Sequence, residues 1–357
     1  MRRGKLHVLM TGLVVMALVL AGCGGGSGSS GSGQPSPSAS QSQGSNTQKQ
    51  QPKAEPEYQF RLGHVNTADH PYQLGAEKFK QLVEERSGGR IQIDIFPNSQ
   101  LGNARDQIEG LQLGTIHFYV GSVAPAANFA PKLNALGLPY LFRDRDHAFK
   151  VLDGEIGQEL TVELAGKGIE HLSFWENGWR NMTNNVRQIK TADDVKGLKI
   201  RVQEAPAYVA LINALGGTPV PLSLSELYTA LEQNVVDGQE NPLPQIYQNK
   251  FYEVQKYLSL TRHTYDAAIF LASKNMMDRL PADLQAVIRE AAKEAGAYER
   301  QVALDLEQEM LALLRQTNIE IEENPDLDSF RTAVEPVYTE LRDSIDQALV
   351  DKIRNVQ

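Results

Sequence analysis

Gly197-Leu198-Lys199-Ile200-Arg201-Val202, followed downstream by Asp237-Gly238-Gln239-Glu240-Asn241-Pro242-Leu243, is the stretch around which the chain is organised. Leu198, Ile200 and Val202 alternate with Lys199 and Arg201, the period-two pattern of a short strand. Its apolar side goes to a core and Arg201 to the opposite side, which is either a cleft or bulk water. Asn177-Gly178-Trp179-Arg180 supplies a second arginine upstream. A guanidinium is a planar fork of donors that fits a carboxylate in bidentate fashion, which a lysine ammonium cannot do. Two such forks from neighbouring segments have the chemistry to hold an organic acid. Arginines in solvated surface ion pairs are the commoner case, and composition alone does not choose between the two.

The run from Trp175 to Leu243, with Asn98-Ser99-Gln100-Leu101-Gly102 and Leu138-Pro139-Tyr140-Leu141-Phe142 upstream, resembles the DctP-like substrate-binding proteins of TRAP transporters, the tripartite ATP-independent importers of organic acids. The likeness covers the chain from about Tyr58 to its C-terminus. It implies a two-lobed α/β fold of the periplasmic-binding-protein (Venus flytrap) kind, with one long helix across both lobes. It also implies that Arg201 pairs with the ligand carboxylate, that Arg180 helps from the hinge side and that Asn241 bonds beside them. The implied ligand is a four-carbon dicarboxylate or a sugar acid, and the implied partner a cation-coupled membrane permease that hydrolyses no nucleotide. Leu224, where some family members carry an aromatic residue, points to a roomier or differently shaped pocket. Ligand-dependent signalling to a sensor kinase by the same clamshell is the alternative.

The N-terminus reads as an address. Arg2, Arg3 and Lys5 precede an apolar run from Val8 to Leu20, and Leu20-Ala21-Gly22-Cys23 matches the bacterial lipobox. Residues 1–22 are therefore expected to be a lipoprotein signal peptide and Cys23 to be acylated, since the apolar run is short for a membrane span. Several acyl chains together make a stable anchor, so the chain is expected to be exported and lipid-anchored, on the outer face of the cytoplasmic membrane or in the periplasm. Cys23 is the one cysteine, so no disulfide framework enters. Residues 23–57 are rich in Gly, Ser, Gln and Pro and too poor in apolar side chains to offset ordering entropy, which predicts a disordered leash. Gly26, Gly28 and Gly31 satisfy a dinucleotide-binding spacing, but they follow no strand and open no helix.

Beyond the leash about 300 residues remain, enough for two medium lobes. Tyr58, Phe60 and Leu62 alternate as a first strand, Pro71 opens a helix stopped by Gly88-Gly89, and Ile91, Ile93 and Ile95 form a second strand. Asn103 caps the next helix, and Ile116 to Val120 is a third strand, an order that implies a mostly parallel sheet. Ligands sit at the carboxyl ends of such strands, which places Tyr72 and Ser122 beside a cleft; with Trp175 they are expected to meet the ligand from the first lobe on closure. Ile169 to Phe174 and Tyr265 to Ala272 are strand-like, Pro206 to Leu215 is helical, and Ser223 with Glu226 makes a capping box. From Pro281 to about Gln316 there is no proline and one glycine, Gly296, a helix on the order of 50 Å long. The expected lobes are residues 58–178 with 267–306, and 179–266 with 307–357.

A net charge of −9 without a basic tract argues against nucleic acid. His64, Asp69 and His70 lack a defined metal-ligand spacing, so turn and capping roles are expected and no metal or cofactor. No nucleophile elbow, zinc-protease motif or phosphate loop is present, so the reading is a binding protein. A secreted sugar-acid enzyme is a distant alternative.

Overall fold

The computed structural model describes residues 55–357. The expected signal peptide, Cys23 and nearly all of the leash lie outside the described residues. Nine strands follow in chain order: β1 (Tyr58–Gly63), β2 (Ile91–Phe96), β3 (Phe118–Ser122), β4 (Ile169–Asn184), β5 (Lys199–Val202), β6 (Thr218–Pro221), β7 (Gly238–Asn241), β8 (Tyr257–Ser273) and β9 (Glu320–Glu322). They form one sheet in the order β2-β1-β3-β8-β4-β7-β5-β6, with β9 beside β8.

Each wing of that sheet is a parallel triplet; the three strands of the first were expected, whereas in the second β5 and the two helices were expected and β6 and β7 were not. In the first wing β1 lies parallel to β2 and β3, joined through the helices Pro71–Arg86 and Ala104–Leu113. In the second, β5 lies parallel to β6 and β7, joined through Pro206–Ala214 and Leu224–Glu232. Asn103 and Asp106 close a capping box at one of these helices, and Ser223 and Glu226 at another.

The middle of the sheet departs from the expectation. Strands expected to end at Phe174 and to begin at Tyr265 instead run 16 and 17 residues, as the antiparallel pair β4 and β8, which joins both wings. Their added portions carry Glu176, Asn177, Arg180, Asn181, Thr261, His263 and Thr264, all buried, and Asp266, within the expected part of β8, is buried beside them. Asn177 and Arg180 bond Asp266, and Thr261 bonds His263, so buried positions here are polar and the apolar alternation that marks a half-buried strand is missing. The β4–β8 register shifts at His171/Ser173, Glu176/Gly178 and Arg180/Met182. Such bulges bend and twist a ladder.

The helix Ala282–Leu314 is continuous over 33 residues through Gly296. Its first half packs Leu284, Ile288, Ala291 and Ala295 on Phe79, Phe270 and Trp175, while Met310 and Leu314 join a separate cluster with Leu231, Ile246 and Leu258. One helix thereby belongs to two cores. A third cluster on the other face runs from Ile108 and Leu164 through Ile200 and Tyr208 to Phe330 and Ile353.

The last helix, Gln347–Arg354, was expected with the second lobe. It packs on residues 145–165, which were counted with the first: His147 Nε2 meets the Ile353 carbonyl at 2.8 Å, and Lys352 pairs with Glu159. The apolar face of that helix is legible in the sequence, but its partner is not. The expected boundaries at 178/179 and 266/267 fall within β4 and β8, where Gly178 lies opposite Asp266. Among the described residues no helix is long and apolar enough to cross a membrane.

Candidate ligand-binding site

Where the carboxyl ends of β1, β3 and β5 converge, a narrow cleft opens. Of the seven residues expected at a ligand, the structure brings Arg201, Asn241, Tyr72, Ser122 and Leu224 to its wall, and it places Arg180 and Trp175 elsewhere.

Arg201 faces the cleft rather than water, with 3% of its surface exposed. Its Nε and Nη2 donate to the Leu222 carbonyl at 2.8 and 2.6 Å, and among the described residues it forms no ion pair. The pairing of β5 with β6 puts that carbonyl in reach, because Leu222 continues the strand that lies alongside. Burial pulls the guanidinium down to about 10, with the Arg180 charge adding to the effect and Glu240, Glu204 and Glu226 partly offsetting it. A buried cation held by one neutral carbonyl is an unsatisfied charge, and it faces an open space.

Arg180, expected to touch the ligand, lies behind that wall. Its Nε donates to Glu240, its Nη1 to Asp266 Oδ2 at 2.6 Å, and its Nη2 to Glu240 Oε1 at 2.9 Å and Asn241 Oδ1 at 3.0 Å. It also stacks over the Tyr208 ring, 5.3 Å from the centroid. Burial works against its charge, but Glu240 and Asp266 outweigh burial and raise its pKa. Its two acids respond oppositely. Burial pushes Asp266 up despite Arg180, whereas Arg180 and a bond from His263 overcome burial at Glu240 and bring it down.

Trp175 is the clearer departure. It is fully buried, its Nε1 donates to Ser173 Oγ at 3.0 Å, and its ring lies 4.9 Å from that of Phe270. Two glycines make room for it. A Cβ at Gly75 would come 2.5 Å from the indole, and one at Gly296 would come 2.9 Å from it. The lone glycine of the long helix therefore marks a seat for an aromatic ring, not a break.

The remaining expected residues have defined settings. Ser122 Oγ donates to Asp266 Oδ1 at 2.7 Å and caps the helix Val123–Ala126. Asn241 holds Gln239 and accepts from Arg180. The Tyr72 hydroxyl is buried without a partner, and burial raises its pKa well above the ordinary value. His70 caps the helix that carries Tyr72, and His64 bonds Gln73 at 2.8 Å. Burial holds His64 down at about 4 and His70 lower than usual, so both are neutral. Among the described residues no group of three or more His, Cys, Asp or Glu is placed to hold a metal.

Several lining or supporting residues escaped the sequence reading. Asp266 accepts from Ser122, Asn177, Arg180 and Gln203, joining segments of both wings. Its signal was present: it is a lone acid in the otherwise apolar run that ends β8. Tyr119 and Gln245 add unpartnered polar atoms to the wall. Ser99 reaches it because Asn98 and Ser99 adopt the left-handed conformation, at φ 53° and 57°, and are held by the carbonyls of Asn66 and His64. Across the cleft, Gln248 Nε2 donates to the Asp69 carbonyl at 2.8 Å, Gln245 Nε2 to Asn66 Oδ1 at 3.3 Å, and Asn128 Nδ2 to the Glu204 carbonyl at 3.1 Å.

Comparison with known proteins gives consistent matches. The model of the bacterial extracellular solute-binding proteins, family 7, matches residues 62–344. The 2,3-diketo-L-gulonate-binding periplasmic protein YiaO of Escherichia coli is 37% identical over 274 residues, covering 77% of this chain and 84% of its own. The TRAP periplasmic solute-binding protein of Polaromonas sp. JS666, bound to D-erythronate, superposes with a TM-score of 0.82 at 37% identity, covering 84% of this chain and 99% of that one. The corresponding protein of Sulfurospirillum deleyianum, with bound succinate, superposes with a TM-score of 0.82 at 33% identity, over 85% of this chain and 100% of that one.

Proposed function

The chain belongs to family 7 of the bacterial extracellular solute-binding proteins, the two-lobed α/β substrate-binding proteins of TRAP transporters, and from that premise we propose that it captures a small organic acid outside the cytoplasm for delivery to a cation-coupled TRAP permease. The observation that carries the reading is Arg201: buried, charged, bonded only to a carbonyl and aimed into the cleft. A ligand carboxylate would accept its free N–H groups in the bidentate geometry a guanidinium favours. Tyr72, Tyr119 and Gln245 would take up hydroxyl or carbonyl groups of the same molecule. Relatives bind acids of this general kind: one is named for 2,3-diketo-L-gulonate, and others hold D-erythronate and succinate.

Arg180 enters this reading as the group that orders Asn241, Glu240 and Asp266 rather than as a direct contact. The proposed lobes meet at the paired residues Gly178 and Asp266. A charge-assisted hydrogen bond contributes roughly 1.5–3 kcal/mol net, whereas micromolar binding requires about 8 kcal/mol. Closure must supply the difference by excluding water and adding contacts from the first lobe.

Titration calorimetry with sugar acids, aldonates and dicarboxylates, on wild type and Arg201→Ala, tests the proposal. The substitution is expected to weaken the preferred acid by about 2–5 kcal/mol, the usual result of truncating one member of a buried charged pair. Unchanged affinity would remove Arg201 from the site. The proposed anchor at Cys23 is checked by cell fractionation, in which Cys23→Ser is expected to move the chain from the membrane to the soluble fraction.

A further inference from the structure

We propose that Glu240 and Asp266, by cancelling the charge of Arg180, restrict this site to ligands with a single carboxylate whose remaining polarity is carried by hydroxyl groups. The inference rests on the reading of Arg201 as the carboxylate partner and adds what limits the ligand's charge.

The charged residues lining the cleft are Arg201 and Glu204. A first carboxylate has Arg201 to meet it. A second has no cation on the wall, and Glu204 repels it. The nearest other guanidinium, Arg180, is spent: Nε, Nη1 and Nη2 all donate to Glu240, Asp266 or Asn241. Arg180 and Arg201 against Glu240 and Asp266 sum to zero, and His263, the other titratable neighbour of Glu240, is held neutral by burial. A bound monoanion therefore leaves this buried group of charges at −1 and a dianion at −2. Each uncompensated charge in a closed cleft is costly.

The neutral part of the wall has the opposite bias. The hydroxyls of Tyr72 and Tyr119 and the Gln245 carbonyl oxygen are buried without partners. A buried polar atom left unpaired costs free energy, and a ligand hydroxyl, both donor and acceptor, relieves it. A methylene in the same place does not.

The test uses two acids of equal carbon count, succinate and D-erythronate, titrated into the purified full-length chain. Wild type is expected to bind erythronate tighter by roughly 100-fold or more, because a site built for hydroxyls strongly rejects an analogue lacking them. Asp266→Asn and Glu240→Gln each remove one negative charge at nearly constant shape. A dianion feels that change twice as strongly as a monoanion, so each variant is expected to lower the preference for erythronate by about tenfold or more, whatever happens to absolute affinity. Glu240→Gln leaves all four donors to Asp266 in place and carries the test independently of the fold of Asp266→Asn.

A preference unchanged within about twofold in the folded variants, or a wild type that prefers succinate, overturns the inference while leaving Arg201 in its role. Binding of both acids that is indifferent to Arg201→Ala overturns the underlying reading and this inference with it.

Discussion

At the scale of single residues, the site is defined by how differently two arginines are treated. Arg180 meets two carboxylates and its pKa rises, while Arg201 meets a carbonyl and its pKa falls from its ordinary value to about 10. A base whose pKa is depressed on folding is destabilised in its charged form, and at neutral pH that cost is fully present. Arg201→Gln removes the charge and keeps a donor for the Leu222 carbonyl. It is therefore expected to raise the melting temperature of the unliganded chain by about 2–4 °C for each 1 kcal/mol of relieved cost, and to abolish stabilisation by ligand. A lower melting temperature would show that the guanidinium supports the fold rather than burdening it. The same contrast explains what could be read in advance. That Arg201 lies opposite the apolar side of its strand was legible because its apolar neighbours alternate with it over a few residues; that this side is a cleft rather than water was implied by the family resemblance alone. The burial of Arg180 was not, since Glu240 and Asp266, which neutralise it, lie 60 and 86 positions away.

At the scale of elements, the long helix does more than span the lobes. Glu299, halfway along it, is fully buried, and its Oε2 accepts the Glu176 backbone N–H at 2.9 Å, where the register of β4 against β8 next shifts. A bulge leaves a strand N–H without a ladder partner, and here a helix side chain supplies one. Burial, with a further push from Glu176, raises the Glu299 pKa well above its ordinary 4.5 despite the Glu176 N–H bond and Arg300. Around it stand Glu176 on β4, paired with Arg145, then Arg300 on its own helix and Tyr72 on the helix Pro71–Arg86. The folded chain thus keeps a proton that the unfolded chain releases above about pH 4.5, and this contribution is complete below that pH and lost as pH rises through the folded value. Glu299→Gln keeps the acceptor and drops the titration. Relative to wild type it is expected to gain stability steadily from pH 5 to pH 8, by up to about 1.4 kcal/mol per pH unit, as followed by thermal unfolding. A constant difference across that range would mean that Glu299 is already ionised in the folded chain, as in the unfolded one. The first wing of the sheet, and β5 with the two helices of the second, were readable because strand alternation, caps and glycine stops are local signals; the four-residue β6 and β7 carry no such alternation. The centre of β4 and β8 was not, because polar residues that satisfy one another across strands look like loop to any periodicity rule.

At the scale of the whole molecule, the proposed function depends on an equilibrium between open and closed lobes, and the fold holds the elements that would set it. β4 and β8 run through both wings, with shifts of register at Glu176/Gly178 and Arg180/Met182, and Gly178 adopts a φ of 112°, a conformation costly for residues with a side chain. Bending at that point would separate Asn128 from Glu204 and Gln248 from Asp69, while the continuous helix Ala282–Leu314 keeps both cores attached. Two of the three bonds across the cleft, Asn128 to Glu204 and Gln248 to Asp69, touch none of the groups assigned to the ligand, and on this proposal they form only on closure. A ligand that favours the closed form is assisted by everything else that favours it. Neutral hydrogen bonds contribute about 0.5–1.5 kcal/mol each, so the double substitution Asn128→Ala with Gln248→Ala is expected to weaken ligand binding by about 5- to 150-fold. The loss should lie in the dissociation rate, because related complexes differ mainly there. Combined with Arg201→Ala it should add to the Arg201 effect, the residues being in separate contacts. Stopped-flow dissociation of wild type and double variant measures this directly. An unchanged rate would place the closing energy in the ligand contacts themselves and leave these bonds as consequences of closure rather than contributors to it.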